Sequence, residues 1–160
     1  MDGADAFTDR LNPEMCVVTA AAEGRRAGCL VGFFSQCSIR HVRVMVWVST
    51  ANHTYEVARA ADFLAVHLLD REQHDLAELF GGECGARIDK FARVRWRSGH
   101  GGTVVLEDAA AWFVGTVVRR VEDGDHVGFV LAPVEWGGRT EGQLLRLREA
   151  IDIAPGHPVD

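Results

Sequence analysis

The chain has 160 residues, of which 48% are apolar and 25% charged, and a formal net charge of −6. That length suits one domain with a real hydrophobic core, and the acidic balance argues against non-specific binding to nucleic acid or anionic membranes. No apolar run approaches the ~20 residues that a membrane span needs.

Residues 1–12 are mixed and polar, with Phe7 and Leu11 placed so that a short helix could pack on the body. Asn12-Pro13 then opens the fold. Residues 15–22 read as a strand, 23–26 (EGRR) as a turn, and 27–34 as a second apolar strand interrupted by Gly28 and Gly32. Glycine inside a strand marks a bulge or the close approach of another backbone or ligand. A third strand, rich in β-branched residues and tryptophan, covers 44–49. Residues 52–61 (NHTYEVARAA) predict a helix with Asn52 as N-cap and Tyr55, Val57, Ala58 and Ala61 along one side.

A buried-type strand follows at 63–69 (FLAVHLL), and Asp70 is placed to cap a helix over 72–80 with Leu76, Leu79 and Phe80 as its apolar face. The glycines of 81–85 end that helix. The second half is nearly all strand, at 93–96, 104–107, 111–122, 126–135 and 144–147, with 98–102 (SGHGG) a flexible loop and 154–160 an extended tail. Gly124-Asp125 lies between β-branched runs at 111–121 and 127–134, which is a hairpin signal. The residue that opens the second strand is His126, a side chain suited to exchanging a proton or hydrogen bond near neutral pH. Many antiparallel strands around two short helices predict a mainly β (α+β) chain forming a closed or nearly closed barrel.

The four cysteines, Cys16, Cys29, Cys37 and Cys84, show no C-x-x-C spacing, and three lie in apolar strand-like runs as small hydrophobes. With no signal peptide at the N-terminus, a reducing cytoplasm is expected. His67 and His74 lie seven apart across a strand-to-helix boundary, and His41 and His53 fall in separate loops, so no zinc-type spacing arises. There is no G-x-S-x-G elbow, and the glycine-rich stretches 81–85 and 99–102 lack the lysine and hydroxyl of a P-loop. What remains is 28–38 (GCLVGFFSQCS), where Ser35, Gln36, Cys37 and Ser38 follow an apolar strand. Such a strand-to-loop transition exposes backbone donors, hydroxyls and an amide, which suit the edge of a flat heterocycle lying on apolar residues.

From residue 13 to 147 the chain resembles the flavin reductase-like family of FMN-binding split β-barrels. Residues 16–20 (CVVTA) look like its opening "vVTa" strand, and 28–38 its "G-x-T-A-S-S-F-x-S-x-S" flavin-contact stretch. Residues 62–68 (DFLAVHL) resemble "F-a-V-n-v-L", and 72–80 resemble the "eq-x-x-L-a-x-x-F" helix. Lys90-Phe91 matches a recurrent K-F pair, and Gly124-Asp125-His126 the G-D-H that leads to "f-v-G-x-V". The resemblance implies a split antiparallel barrel of Greek-key topology with two or three short helices, spanning 13–150 between an N-terminal segment (1–12) and a tail (151–160). It also implies a homodimer with FMN or FAD at the subunit interface. The reaction implied is hydride transfer from NADH or NADPH to flavin N5, supplying reduced flavin to a partner monooxygenase.

On the same resemblance, flavin contacts fall on Leu30, Val31, Gly32, Phe33, Ser35, Gln36, Cys37 and Ser38, on Ser49, Asn52 and Thr54 of the next loop, and on Lys90 and Phe91. His126 matches the histidine beside the nicotinamide, as a hydrogen-bonding group rather than a general base. The chain departs from the pattern twice. Leu30-Val31-Gly32-Phe33 stands for T-A-S-S, and Arg40-His41-Val42 for D-P-P. An electron-carrier module without a nicotinamide site, or a split-barrel oxidoreductase using deazaflavin or haem, are the alternatives these departures leave open.

Overall fold

Two strands at opposite edges of the sheet, separated by two residues of chain, set the architecture of this computed structural model, which describes residues 3–83, 85 and 87–153. Cys84 and the expected tail at 154–160 lie outside the described residues. The elements run α1 (Asp5–Thr8), β1 (Cys16–Ala22), β2 (Arg25–Val31), β3 (Phe34–Ser38), β4 (Arg43–Ser49), α2 (His53–Ala58), β5 (Phe63–Leu68) and α3 (His74–Gly82). After a 3₁₀ turn (Lys90–Arg93) come β6 (Trp96–Ser98), β7 (Val104–Leu106), β8 (Ala111–Asp123), β9 (His126–Gly138) and α4 (Leu147–Ala150). Seven strands form one antiparallel sheet in the order β2-β1-β5-β8-β9-β4-β3, and β6 pairs with β7.

Because β2 and β3 end that order yet only Gly32 and Phe33 link them, the sheet must curl on itself. The result is the expected split antiparallel barrel with short helices. Its interior is filled by alternate residues, among them Cys16 and Val18 of β1, Cys29 of β2, Val46 and Val48 of β4, and Phe129 and Leu131 of β9. Val57 and Ala58 of α2 close one end of this cluster. A second cluster, with Val17, Phe80, Phe91, Leu106 and Leu145, packs α3 and the chain's later segments on the outside. Strand β1 is thus covered on both faces, which is why it reads as a continuous apolar run rather than an alternating one. Among the described residues no helix is long and apolar enough to cross a membrane.

Several elements differ from their predicted form. Ser35–Ser38 is strand, not loop: β3 pairs with β4 through Phe34↔Val46, Ser35↔Met45 and Gln36↔Val44. The strand expected at 93–96 starts only at Trp96, because Asp89 accepts the Phe91 N–H (3.0 Å) and folds Lys90–Arg93 into the 3₁₀ turn. Residues 144–147 make only isolated bridges, Asp70↔Leu144 and Glu14↔Arg146, before α4 begins. Helix α3 starts at His74, with Gln73 at the N-cap position, and Asp70 instead pairs with Arg139. Within 98–102, residues His100–Gly102 form a short 3₁₀ turn. Phe7 is 71% exposed, so α1 does not bury it on the body of the chain.

A polar device inside the apolar shell fastens the β6–β7 hairpin. The buried His67 accepts the Leu106 N–H at Nε2 (3.0 Å) and donates from Nδ1 to the Val17 carbonyl (2.9 Å). Thr19 donates to the Val104 carbonyl at 2.6 Å. Burial holds the His67 pKa down to about 4, against the opposing pull of the Val17 carbonyl. A base whose folded pKa lies below its ordinary 6.5 stabilises the fold fully above that value and loses the contribution as pH falls toward 4. Unfolding free energy should therefore drop by about 3 kcal/mol across that window. Equilibrium denaturation against pH tests this: His67→Gln should flatten the slope, and an unchanged slope in the variant contradicts the assignment.

Candidate functional site

Gly124 takes the left-handed φ of +64° at the tip of the β8–β9 hairpin, a conformation free of penalty without a Cβ. The hairpin closes on the pair Asp123↔His126, and β9 then places His126 opposite Ser49, at the exit of β4. Thr50 locks this junction by directing both its N–H (2.9 Å) and its hydroxyl (3.1 Å) onto the Asp125 carbonyl. The exit loop is folded by its own side chains. Ser49 Oγ accepts from Ala51 N–H (3.3 Å), and Asn52 Oδ1 accepts from Thr54 N–H (3.0 Å) as the N-cap of α2.

These pieces border an open cleft of about 310 Å³ at the barrel seam. One wall is apolar and comes from the end of β2 and the link to β3: Leu30, Val31, Gly32 and Phe33. The other is polar, with Ser49, Thr50, Asn52, Asp125 and His126. The His126 side chain is 30% exposed, and its Nδ1 lies 2.6 Å from Asp125 Oδ1, so Nδ1 donates and Nε2 is the remaining nitrogen. The hydrogen bond from His126, with the charge of its imidazolium form, holds the Asp125 carboxyl below its usual range. The Phe33 ring sits 5.1 Å from the imidazole, tilted by 55°.

The structure therefore gathers seven of the predicted residues, Leu30, Val31, Gly32, Phe33, Ser49, Asn52 and His126, at one cleft. The others lie elsewhere in the chain. Ser35, Gln36, Cys37 and Ser38 belong to the edge strand β3, and Gln36 borders a separate apolar pocket with Phe34, Val44 and Phe113. Thr54 is buried beneath the exit loop. Lys90 is buried as well, its Nζ donating to the carbonyls of Gly28 and Phe80, both at 3.0 Å. Phe91 packs on Phe80 and Trp96. His74, Asp75 and Glu78 bring ligand-type atoms within 4.8 Å of one another on α3, where His74 is already hydrogen-bonded to Asp152 (3.0 Å).

Sequence reasoning missed Met15, Trp47, Asp125 and Leu147 as lining residues. Asp125 carried a usable signal, since it adjoins His126 in the turn. Trp47 had none, since only the β4–β9 register sets it opposite Gly128, where a Cβ would meet its ring at 3.0 Å. Leu147 had none, because it reaches the cleft through the Leu147 N–H to Pro13 carbonyl bond (2.9 Å).

Fold and cleft together define a split-barrel domain, and solved structures share that architecture. An NADH:FAD oxidoreductase of Streptomyces globisporus C-1027 superposes with a TM-score of 0.82 at 20% identity, covering 94% of this chain and 92% of that one. An FMN-binding protein from Thermus thermophilus gives 0.77 at 23% identity, over 86% of this chain and 75% of that one. The chain belongs to the flavin reductase-like domain family, whose model matches residues 9–151. It is 32% identical over 112 residues to a protein of Rhizobium meliloti (strain 1021) described as a probable flavin reductase, covering 69% of this chain but 35% of that protein. It is 30% identical over 115 residues to the stachydrine N-demethylase reductase subunit of the same organism, covering 71% of this chain and 49% of the relative. The chain thus spans half or less of the length of these two relatives.

The geometry of Lys90 separates two roles for it. Lys90→Met keeps the apolar stem and leaves the Gly28 and Phe80 carbonyls without their ammonium donor, which should cost about 1–3 kcal/mol in urea unfolding. Flavin affinity of the folded variant should be unchanged. Lost affinity at unchanged stability would put Lys90 in contact with the ligand.

Proposed function

We propose that this chain is an NAD(P)H-dependent flavin reductase that binds FMN or FAD at the seam cleft and takes hydride from NADH or NADPH. The observation that carries this reading is the facing of the β2 wall and His126 across one cleft, two segments that lie about a hundred residues apart. The cleft volume falls at the lower end of the roughly 300–1,000 Å³ common for small-molecule sites, which suits a flat ring system with its phosphate tail toward the mouth. The apolar wall offers a dry surface for the ring, and the polar rim offers hydrogen bonds. Flavin, when bound, supplies the redox chemistry by accepting hydride at N5.

In this reading the β2 wall excludes water from the hydride path, and His126 Nε2 hydrogen-bonds the nicotinamide carboxamide or the reduced flavin. Asp125 holds the imidazole by its Nδ1 proton. Ser49 and Asn52 shape the rim, and Thr54 supports it from below through its N–H to Asn52. Ser35, Gln36, Cys37 and Ser38 enter the site if a second copy seats its ligand against β3. Exposed Val134 and Trp136 on β9 suit such a homodimer. Related proteins include the reductase component of a flavin-dependent trigonelline monooxygenase, which supports a monooxygenase as the recipient of reduced flavin, in the cytoplasm where NADH is abundant.

The test is NADH and NADPH oxidation with added FMN or FAD. No turnover with any combination would sink the reductase reading. Flavin that binds and is reduced by dithionite but by neither nucleotide would make the chain an electron carrier. His126→Ala should lower turnover about tenfold, the worth of one hydrogen bond, while flavin binding persists. Loss of flavin binding instead would move His126 into the binding shell.

A further inference from the structure

Strand β2 borders a second opening. Cys29 lines the cleft, and the residue before it, Gly28, lines a separate pocket of about 370 Å³ between the start of β2 and residues 85–91. That pocket gathers Arg26, Arg87, Asp89 and Lys90 in a chain whose net charge is −6. The Lys90 ammonium is committed to the Gly28 and Phe80 carbonyls. The guanidiniums are not: among the described residues neither Arg26 nor Arg87 forms an ion pair. Two such cations beside one carboxylate make a local field for an anion within an acidic chain.

The lining narrows the kind of anion. The pocket volume lies at the low end of small-molecule sites, which is more room than a bare phosphate fills. The Arg26 guanidinium lies over the Trp96 ring, 4.6 Å from its centroid, so it is braced on one side, and the residue is exposed. A guanidinium plane held in this way can stack on a flat ring. Asp89 accepts the Phe91 N–H at Oδ1 (3.0 Å) and keeps Oδ2 for a further donor. Arg87, also exposed, offers its fork of donors, which matches a phosphate. A flat ring, an amine on that ring and a phosphate would satisfy the three side chains together. An adenine nucleotide carries all three groups in one molecule.

We propose that this pocket binds an adenosine phosphate, with adenine stacked on Arg26, its amine toward Asp89 and its phosphate on Arg87. FAD and both nicotinamide nucleotides carry that group, whereas FMN does not. Because pocket and cleft follow one another along β2, a molecule whose reactive ring lies in the cleft can leave its adenylate here. That assignment to a flavin or nicotinamide cosubstrate rests on the flavin-reductase reading of the cleft. The chemistry of the pocket itself does not.

Calorimetric titration of the chain with AMP tests the pocket without any reaction, with adenosine and inorganic phosphate as controls. AMP should bind the native chain more tightly than either control. Arg87→Ser should weaken AMP about tenfold, the scale of one charge-assisted contact, and leave adenosine unchanged. Arg26→Ser should weaken both AMP and adenosine. No AMP binding by the native chain, or native AMP affinity in either variant, overturns the proposal. Flavin titrations and the KM for each nucleotide then identify the source. An FAD affinity that falls in Arg87→Ser while FMN affinity holds assigns the adenylate to the flavin. A raised KM for NADH or NADPH at unchanged FAD affinity assigns it to the nicotinamide nucleotide. An Arg87→Ser chain in which neither quantity moves overturns the proposal. AMP binding by a chain that oxidises neither nucleotide with either flavin brings down the reductase reading and leaves the adenylate pocket standing.

Discussion

The constraint on which everything else hangs is the shortness of the link at Gly32 and Phe33. Strands β2 and β3 are the two outer edges of a seven-stranded sheet, and two residues cannot bridge an open sheet of that width. The sheet twists in any case; the link turns that twist into closure. Where the edges approach without pairing, a seam remains, and the hairpin tip at Asp125 and the β4 exit at Ser49 come to stand beside it. The cleft is thus a by-product of closure rather than an addition to a finished barrel.

Closure alone leaves polar backbone and side chains to be satisfied inside. Among the described residues no buried side-chain nitrogen or oxygen lacks a partner. His67, Thr19 and Lys90 account for the conspicuous cases, and each reaches from one element to the backbone of another. Lys90 is notable for where it acts, since the Phe80 carbonyl to which it donates lies in the last turns of α3, where carbonyls run short of helical donors. A cation near that end also suits the helix dipole.

What the sequence disclosed follows from how local each signal is. The Gly124-Asp125-His126 hairpin was legible because turn chemistry is written in adjacent residues, and β1, β4 and β5 because their apolar runs are unbroken. Strand β3 was not, because FSQCS is polar and gains its strand character only from pairing with β4. The misreading at 93–96 has a mirror-image cause: RVRW alternates like a strand, but Asp89 captured the preceding residues first. Within the cleft, Leu30 to Phe33 and His126 could be marked from motif order. Met15 and Leu147 could not, since contact between chain ends is a property of the closed barrel. Nor could the burial of Lys90, because nothing near it in the chain announces that two carbonyls await it.

One consequence concerns Gly28. A Cβ there would come within 2.8 Å of the Phe80 ring, and its carbonyl is clasped by Lys90. Strand β2 is therefore gripped from behind, at a residue that contributes no side chain to the front. Of the four residues that line the cleft after it, Val31 belongs to the barrel core and Leu30 packs on the outer cluster, so these two serve the fold as well as the lining. Phe33 is the exposed one, and there the lining can change in chemical character while the frame behind it stays the same.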